Sequence, residues 1–533
     1  MSESPLTTGA EIAHLCTTFK KQVAEEISSI RQQAPFLRAH ESRLDSIEQI
    51  LYGMDHFLKE QRNLCTPIGR LTDEIILEIL HYCMGRRTAH EGEERLALPS
   101  AIFLCKRWRE LAIGARSLWS HLVLPSAPEL FRLFRDRSGA LPVSLYLTNR
   151  GLPKVHEMDF IGDPFCQLAP RVSHLEIRWA TIDGENPPLS QFLTDHIRQK
   201  EFTYLKTLDI RDEHRGRTQS FSLNTPALQI LRFSGIKFRI PQAQSENMVE
   251  LQYRCPGLGP RGILELLSGF PRLERCSIED YKPLPRQGGS DFPQVSLTQL
   301  QSISIKSLYV AQMRDIVSHL QTPSSATIDL GTYEDYLFEM EPENFIGSLL
   351  FSFDELRILE RQHIYFALTS ECGRSLKLEH EMEIEHKEGQ YDCIWLSAMA
   401  AHPSSVSRIA LDVPKLPALR ELVKVLQAWN LMTHISIRTE AADLERLFTA
   451  LEENPVILCP LLKSLDCRGA RFSGPRMTRF LEFRRDRGVA LRELKFTKGF
   501  SEPPLGDISL LVGHVIVADP PQPDQDGSVQ YHS

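Results

Sequence analysis

The first 66 residues carry a helical pattern of apolar positions. From Leu37 onward these positions are spaced three and four residues apart, which places them along one stripe of a helix. The stripe consists of Leu37, Leu44, Ile47, Leu51, Met54 and Leu58, and a looser one before it consists of Ile12, Leu15, Phe19, Val23, Ile27 and Ile30. Pro35 separates the two and should break or kink the helix. The pattern is compatible with a short coiled coil and with a helical hairpin packed on its own neighbour.

Beyond Pro125 a six-residue pattern recurs: apolar, two variable residues, apolar, one variable residue, apolar. Fair copies begin at Val172, Leu205, Leu228, Leu273, Leu300, Val406, Met432, Leu462 and Leu491, and weaker ones at Pro142, Met248, Ser325 and Gly373. Most steps are about 20 to 33 residues long, which predicts a solenoid in which each unit stacks on the next. The longer step after Ser325 leaves room for one degenerate unit.

The variable residues inside each copy are nearly all polar, so each predicted strand has one buried and one solvated face. The units resemble irregular leucine-rich repeats, in which these polar positions line a concave sheet. Regular repeats of that family carry Asn three residues after the last apolar position. None of the corresponding residues here is Asn: they are Ala180, Glu213, Ile236, Tyr281, Leu308, Pro414, Glu440, Ala470 and Gly499. The curvature and regularity of the solenoid are therefore left open.

Basic residues are frequent at the polar positions of the copies. Guanidinium groups bind carboxylate or phosphate oxygens through forked hydrogen bonds, so one hypothesis is that this face binds an acidic or phosphorylated segment of a target protein. The alternative is a solvated surface of mixed charge, since Glu279 and Asp412 occupy equivalent positions. The candidate substrate-binding residues are Arg178, Arg211, Arg232, Lys306, Arg438 and Arg468. A further basic cluster, Arg484, Arg485 and Arg487, is expected to be solvated on an outer helix.

A compact helical stretch lies between these two regions. It contains PIGRLTDEIILEIL at residues 67–80, FLCKRWRELA at 103–112 and SLW at 117–119. A charged, glycine-containing insert at residues 85–95 predicts an exposed loop. Together the three segments resemble the F-box, in particular the fungal version that follows a helical N-terminal segment. The resemblance implies a three-helix module that docks on the Skp-type adaptor of a cullin-based SCF ubiquitin ligase.

The first helix of this module has more apolar residues than one packed face needs, so part of its surface should meet a partner. Thr72 stands where the family has Pro, but it can cap the helix, and Asp73 and Glu74 suit the helix dipole. The resemblance implies an adaptor-binding set in which the two Trp residues are the large anchors. The set consists of Pro67, Ile68, Leu71, Ile75, Leu80, Leu104, Trp108 and Trp119. An ordinary helical bundle with a self-contained core is the alternative.

Charge, cysteine content and hydropathy limit which partners and which cellular location the sequence is compatible with. The net charge of -8 argues against nucleic acid, because phosphate binding relies on excess Lys and Arg. Eleven scattered cysteines without a CxxC pair predict reduced thiols and a cytoplasmic or nuclear location. Charged residues in the first thirty positions exclude a signal peptide. No run of about 18 apolar residues is present, so we expect no membrane span.

The sequence contains no motif of a known catalytic or phosphate-binding site: GxxxxGK[ST], GxSxG, HExxH and GxGxxG are all absent. In LEHEMEIEH (378–386), a strand would place His380 and His386 on one face and the glutamates on the other. The glutamates are Glu381, Glu383 and Glu385. Because metal ligands must converge, we expect an exposed charged strand and no metal or cofactor. Cys105 and Cys276 occupy apolar positions and are predicted to lie in the core.

The predicted fold class is a mixture of α+β and α/β. It comprises an N-terminal helical or coiled-coil segment (1–66), an F-box (67–124), an irregular leucine-rich-repeat solenoid (125–500) and a largely disordered tail (501–533) with one candidate strand, GHVIVA. The resemblance implies a non-enzymatic substrate-recognition subunit of an SCF-type ligase, which binds adaptor and cullin through the F-box and an unknown protein target through the repeats. A non-catalytic scaffold acting without ubiquitination is the alternative, and an enzyme with an unfamiliar site is a third. The oligomeric state is left open.

Overall fold

The structure, a computed structural model of the chain, describes residues 9–32, 37–85, 102, 105–149, 159–179, 189–197, 201–212, 224–235, 246–254, 256–280, 292–333, 342–361, 363–381, 394–402, 404–453, 457–501, 508 and 510–520. All of the charged insert except Gly85 lies outside these ranges. Residue contacts divide the chain into two compact units, residues 1–121 with 126–141 and residues 122–125 with 142–533. Within the described ranges, no helix has the length and apolar content needed to cross a bilayer.

The first unit is helical, as the spacing of its apolar residues predicts. Short 3₁₀ turns at Ile68–Arg70 and Arg116–Trp119 connect its helices. The helices are α1 (Gly9–Gln32), α2 (Leu37–Cys65), α3 (Asp73–Gly85), α4 (Lys106–Gly114) and α5 (Pro128–Ser138).

The core of this unit is built from α3, α4, α5 and the second 3₁₀ turn. Trp119 lies at its centre: the indole Nε1 donates to the carbonyl of Ala112 at 2.6 Å, and the ring packs edge-on against Phe134. The side chains buried around it are Ile76, Leu80, Trp108, Ala112, Leu118 and Phe131. This apolar cluster fixes α3 and α4 relative to each other.

Arg107 joins the start of α3 to α4 through polar contacts. Its guanidinium donates to the carboxylate of Asp73 at 2.9 and 2.5 Å. It also donates to the carbonyls of Gly69 at 2.9 Å and Leu71 at 2.7 Å. One side chain therefore satisfies two carbonyls of the turn before α3 and neutralises an acid in the first turn of that helix.

The second unit contains one 17-stranded sheet, and every copy of the repeat pattern contributes a strand to it. Most of its strands are parallel, which makes it an LRR-like solenoid. The strands are β1 (His121–Leu124), β2 (Val143–Thr148), β3 (Val172–Trp179), β4 (Thr207–Asp212), β5 (Ile230–Ser234), β6 (Glu250–Arg254), β7 (Arg275–Glu279), β9 (Ser302–Tyr309), β11 (Thr327–Tyr333), β12 (Glu355–Glu360), β13 (His363–Thr369), β14 (Ser375–Glu381), β15 (Arg408–Asp412), β16 (His434–Arg438), β17 (Ser464–Asp466), β18 (Glu493–Thr497) and β19 (His514–Ala518). Strands β8 (Val295–Ser296) and β10 (Leu320–Gln321) form a separate pair.

The order of strands is interrupted once. From β2 to β11 the neighbours follow the chain, but β11 then pairs with β14 instead of β12. Strand β13 is antiparallel to both β14 and β12, and β12 pairs in parallel with β15, from which the regular order continues to β19. The long step after Ser325 thus contains the degenerate unit that we predicted, which forms β12, together with the reversed strand β13.

Helices and turns lie between the strands, and each helix from Gly259–Ser268 to Gly474–Asp486 contacts the next one along the chain. Phe448 and Phe480, from neighbouring helices, stack with ring centroids 4.9 Å apart. A π-helical turn spans Leu193–Ile197, and 3₁₀ turns span Ala169–Arg171 and Leu350–Ser352. The helices are α6 (Asp159–Leu168), α7 (Leu189–Phe192), α8 (Gly259–Ser268), α9 (Val310–His319), α10 (Pro342–Leu349), α11 (Ile394–Ala400), α12 (Leu419–Ala428), α13 (Ala441–Glu453) and α14 (Gly474–Asp486).

Acidic residues take over part of the role that Asn has in regular repeats. The buried carboxylate of Asp280 accepts hydrogen bonds from the N–H groups of residues 257–259 at 2.7, 2.9 and 3.1 Å. Gly257 and Gly259 have φ of 71° and 63°, a conformation that glycine adopts without strain. The carboxylate of Asp443 accepts from the N–H of Leu416 at 3.0 Å. Turn backbone is therefore satisfied by isolated acids instead of a periodic Asn ladder.

The position of Arg484 differs from the one that the sequence predicts. We predicted that it is solvated, but its side chain is fully buried in α14. The guanidinium donates to the carbonyls of Leu458, Cys459 and Val489 at 3.2, 3.1 and 3.2 Å. Burial lowers the pKa of this guanidinium. Arg485, the next residue, is partly exposed beside Asp486, as expected of a solvated cation.

Candidate functional site

The polar positions of the repeats line one face of the sheet, here called the polar face. Strand registers place them in columns, for example Glu176 beside Asp209 and Asp209 beside Arg232. Along the strands buried and accessible residues alternate, as in β5, where Leu231 and Phe233 are buried. The predicted separation of an apolar and a polar face is confirmed.

Each of the six candidate substrate-binding cations has an acidic partner within the chain. Such pairs at a surface contribute about 0–1 kcal/mol each, so an external carboxylate or phosphate competes with a weakly held internal one. The N–O distances are 2.8 Å for Arg178–Glu176, 2.9 Å for Arg211–Asp209, 2.8 Å for Arg232–Glu250, 3.5 Å for Lys306–Asp329, 3.6 Å for Arg438–Asp412 and 2.6 Å for Arg468–Asp466. The polar face thus carries mixed, mutually neutralised charge at these residues, and their role in binding stays a prediction.

Glu250 holds the densest charge cluster on the polar face. Arg232 and Arg275 both donate to its carboxylate, at 2.8 and 3.1 Å for the shorter contacts. Burial opposes ionisation of this carboxyl, but the hydrogen bonds and charges of the two guanidinium groups outweigh it and lower the pKa of Glu250. Arg275 also lies 4.0 Å from the carboxylate of Glu274, so the cluster of two cations and two acids has no net charge.

The reversed strand lies between two cations, Arg357 and Lys377, that sequence reasoning missed. Arg357 on β12 and Lys377 on β14 are the register partners of Ala367 on β13. Two strand spacings separate their backbones by about 10 Å. On its other side Lys377 has Asp329 of β11 as its register partner. Both cations are exposed, and within the described ranges neither has an acidic partner at ion-pair distance. Arg357 was missed because it lies in the degenerate unit, whose neighbours depend on long-range pairing.

Exposed apolar residues follow the edge of the sheet where the strands begin. Leu431 and Leu461 immediately precede the first apolar position of the β16 and β17 units and are 49% and 47% exposed. Phe351 before β12 and Leu510 before β19 are exposed as well. These residues were also missed, although an apolar residue directly before the repeat pattern is a signal that the sequence does contain.

The helical module, residues 67–124, presents an apolar surface of its own. Ile68 is 49% exposed and Ile75 is 45% exposed, and both belong to the predicted adaptor-binding set. Tyr82 and Ile113, which sequence reasoning did not select, are exposed too. Ile75 and Tyr82 are seven residues apart on α3, so they share a face that differs from the buried face of Ile76.

The other predicted adaptor-binding residues have different positions. Pro67 is exposed and Leu71 is half-buried, whereas Leu104 lies outside the described residues. Trp108 and Trp119, expected to be interfacial anchors, are 3% and 1% exposed and form the core of the module. Leu80 is buried with them. Any contribution of these three residues to docking is indirect, because they hold α3 and α4 in place.

The histidine-containing strand and the two cysteines that we predicted to lie in the core match the sequence expectation only in part. Glu381 and His380 occupy opposite faces of β14 as predicted, but His380 is buried, not exposed. Glu383, Glu385 and His386 lie outside the described residues. Among the described residues, no three His, Cys, Asp or Glu side chains are grouped to hold a metal. Cys276 is buried, which raises the pKa of its thiol, and Cys105 is half-buried.

Comparisons with known proteins add little to this description. No protein-family model matches the chain, and no curated protein matches it. Among solved structures, the chain is similar to an internalin (inlF) from Listeria monocytogenes str. 4b F2365, with 12% sequence identity and a TM-score of 0.26. That similarity covers 77% of this chain and 94% of the internalin chain. A TM-score this low carries no argument, so the fold and the candidate surfaces rest on the strand registers and side-chain contacts given above.

Proposed function

We propose that the chain is a substrate-recognition subunit of an SCF-type cullin ubiquitin ligase. In this proposal residues 67–124 form an F-box that docks on a Skp-type adaptor, and the repeat sheet binds the target protein. The chain itself catalyses no step and acts by holding its target near the ubiquitin-charging enzyme. The cysteines of the described ranges are scattered and form no disulfide, which supports a cytoplasmic or nuclear location.

The observation that carries the proposal is the second apolar face of α3. Ile76 and Leu80 already supply the module with a buried face, yet Ile75 and Tyr82 remain 45% and 56% exposed. A small module that leaves large apolar side chains in water is expected to bury them against another protein. This pattern supports a docking helix more than a self-contained bundle.

The proposal predicts that an Ile75→Glu, Tyr82→Glu double variant loses affinity for a purified Skp-type adaptor. Two interfacial side chains worth about 1.4 kcal/mol or more each correspond to a loss on the order of 100-fold in Kd. Isothermal titration calorimetry of the full chain against the adaptor measures this loss. Both residues are exposed, so the double variant keeps its core and its circular dichroism spectrum.

Leu141→Glu is the matched control, because it also replaces an exposed apolar residue of the first unit by an acid. It should bind the adaptor as the wild type does. Trp108→Ala is unsuitable for this test, since removing a buried Trp costs about 3–5 kcal/mol and abolishes binding through unfolding. Equal adaptor affinity of wild type and double variant, or no affinity in either, would contradict the proposal.

A second candidate function is a scaffold that binds the adaptor without leading to ubiquitination. The mutual neutralisation of the six candidate cations favours it, because it removes one expected feature of a target-binding face. Adding cullin to the preformed complex separates the two functions. A ligase receptor forms a ternary complex with adaptor and cullin, whereas a scaffold that excludes cullin stays binary.

For target recognition, we propose that the two cations Arg357 and Lys377, on either side of β13, bind an acidic group of the target. The supporting feature is that both cations flank Ala367 and that neither forms an ion pair among the described residues, since Asp329, the neighbour of Lys377 on β11, is paired with Lys306. Each of the six cations selected from the sequence would then contribute to binding only if an acidic group of the target replaced the acidic side chain with which it is paired within the chain.

A further inference from the structure

The helix α2 leaves most of its apolar stripe uncovered, and of the residues named below only Ile47 is half-buried. Numbered as heptads, the stripe has Leu44, Leu51 and Leu58 at the first core position (a) and Ile47 and Met54 at the second (d). The three leucines are 46%, 43% and 58% exposed, and Met54 is 41% exposed. Of the two arrangements that the sequence left open, a hairpin packed on its own neighbour would have covered them.

Three more apolar residues widen this stripe on one side. Ile50, Phe57 and Leu64 occupy the heptad position next to the core (g) and are 57%, 58% and 48% exposed. The helix is 29 residues long and so spans about 44 Å. Exposure of a contiguous apolar strip of this length to water is unfavourable and indicates an interaction surface.

We propose that α2 packs in parallel and in register against α2 of other copies of this chain. The charges beside the stripe favour this occupant. In a parallel arrangement, Arg43 at position g lies beside Glu48 at position e of the neighbouring copy, and the two attract. An antiparallel arrangement centred on Leu51 would bring Glu48 near Asp55 of the other copy. This like-charge repulsion would cancel the attraction of Glu41 for Arg62 in the same arrangement, so the parallel one is favoured.

Cys65 provides a direct readout of this geometry. It occupies position a one heptad after Leu58, at the end of α2, and its thiol is free and exposed. In a parallel, in-register bundle the Cys65 thiols of neighbouring copies lie side by side. In an antiparallel bundle they lie at opposite ends of the helices and do not meet. Mild oxidation removes one proton and one electron from each thiol and forms the S–S bond, with diamide as the oxidant that takes up both hydrogens.

The first experiment measures the mass of the full chain in reducing buffer by light scattering and sedimentation equilibrium. The wild type should have a mass that is a multiple of 60.8 kDa. A Leu51→Glu, Leu58→Glu double variant should raise the dissociation constant at least on the order of 100-fold, because each charge would be buried in the seam. Gln49→Glu with His56→Glu adds the same charges to the opposite face of α2 and should leave association unchanged.

The second experiment treats the wild type with diamide and separates the products on a non-reducing gel. A cross-linked dimer should form, disappear in Cys65→Ser and persist in Cys372→Ser, whose thiol is also exposed. A monomeric wild type at micromolar concentration, or association without the Cys65 cross-link, overturns the proposal. Adaptor binding by the Leu51→Glu, Leu58→Glu variant is measured separately, so failure of self-association and failure of the proposed F-box function are distinguishable.

Discussion

Replacing Arg484 by alanine should lower the free energy of unfolding by about 4 kcal/mol. The side chain is fully buried, and its guanidinium satisfies the carbonyls of Leu458, Cys459 and Val489. The substitution removes a donor from each of these carbonyls, of which Cys459 keeps the N–H of Leu462, and opens a cavity beneath α14. Each effect costs about 1–3 kcal/mol. Urea denaturation of the full chain, followed by circular dichroism, measures the change.

Two further variants separate the causes. Arg484→Met fills most of the cavity but restores no donor, so it should recover only the packing part, about half of the loss. Arg485→Ala changes an exposed cation in the same helix and should alter stability by about 0.5 kcal/mol or less. If Arg484→Ala and Arg485→Ala were equally stable, the buried contacts of Arg484 would not hold in solution.

Acidification should destabilise the protein through His380 before most carboxylates titrate. Burial lowers the pKa of His380 from 6.5 to about 4, and the charge of His363 acts in the same direction. The unfolded chain therefore binds a proton at this residue below pH 6.5, whereas the folded chain does so only near pH 4. The contribution of neutral His380 to the free energy of unfolding is fully present above pH 6.5. It is lost as the pH drops toward 4, by up to about 3 kcal/mol at 1.36 kcal/mol per pH unit.

The measurement is the free energy of unfolding of the wild type and of His380→Gln between pH 7.5 and 4.5. The variant lacks the titrating group, so its stability should depend less steeply on pH in this range, although it is lower at neutral pH because the hydrogen bond to Thr332 is disturbed. His514→Gln, at an exposed histidine of β19, should follow the wild-type profile. Parallel profiles for wild type and His380→Gln would show that His380 is not buried as described.

The strands of the solenoid were predictable because their signal is local. Alternating apolar residues within one hexamer decide which side chains face the core, and no distant residue is needed to read them. The reversed strand β13 was not predictable in this way. Its apolar residues Ile364, Phe366 and Leu368 alternate like those of any strand, but the choice of β14 and β12 as neighbours depends on pairings far apart in the chain.

The candidate surfaces were only partly predictable for a similar reason. The family resemblance selected Ile68 and Ile75, which are exposed, together with Trp108 and Trp119, which are buried. A motif records which positions matter, but it does not separate residues that touch a partner from residues that support them. The ion pairs of the polar face depend likewise on side-chain reach across neighbouring strands, which the pattern of one strand does not contain.

The exchange of strand order around β13 has a consequence for how the chain is made. In an uninterrupted solenoid each newly synthesised unit adds to the one before it, so folding can follow synthesis step by step. Here β12 is synthesised before β14, yet β14 is the strand that completes the edge left by β11. The edge of β11 therefore stays uncovered until Glu381 has been synthesised. Until then β12 and β13 are not joined to the strands before them, because β14 makes that connection. Truncations that end between β11 and β14 should on this ground be prone to edge-to-edge aggregation.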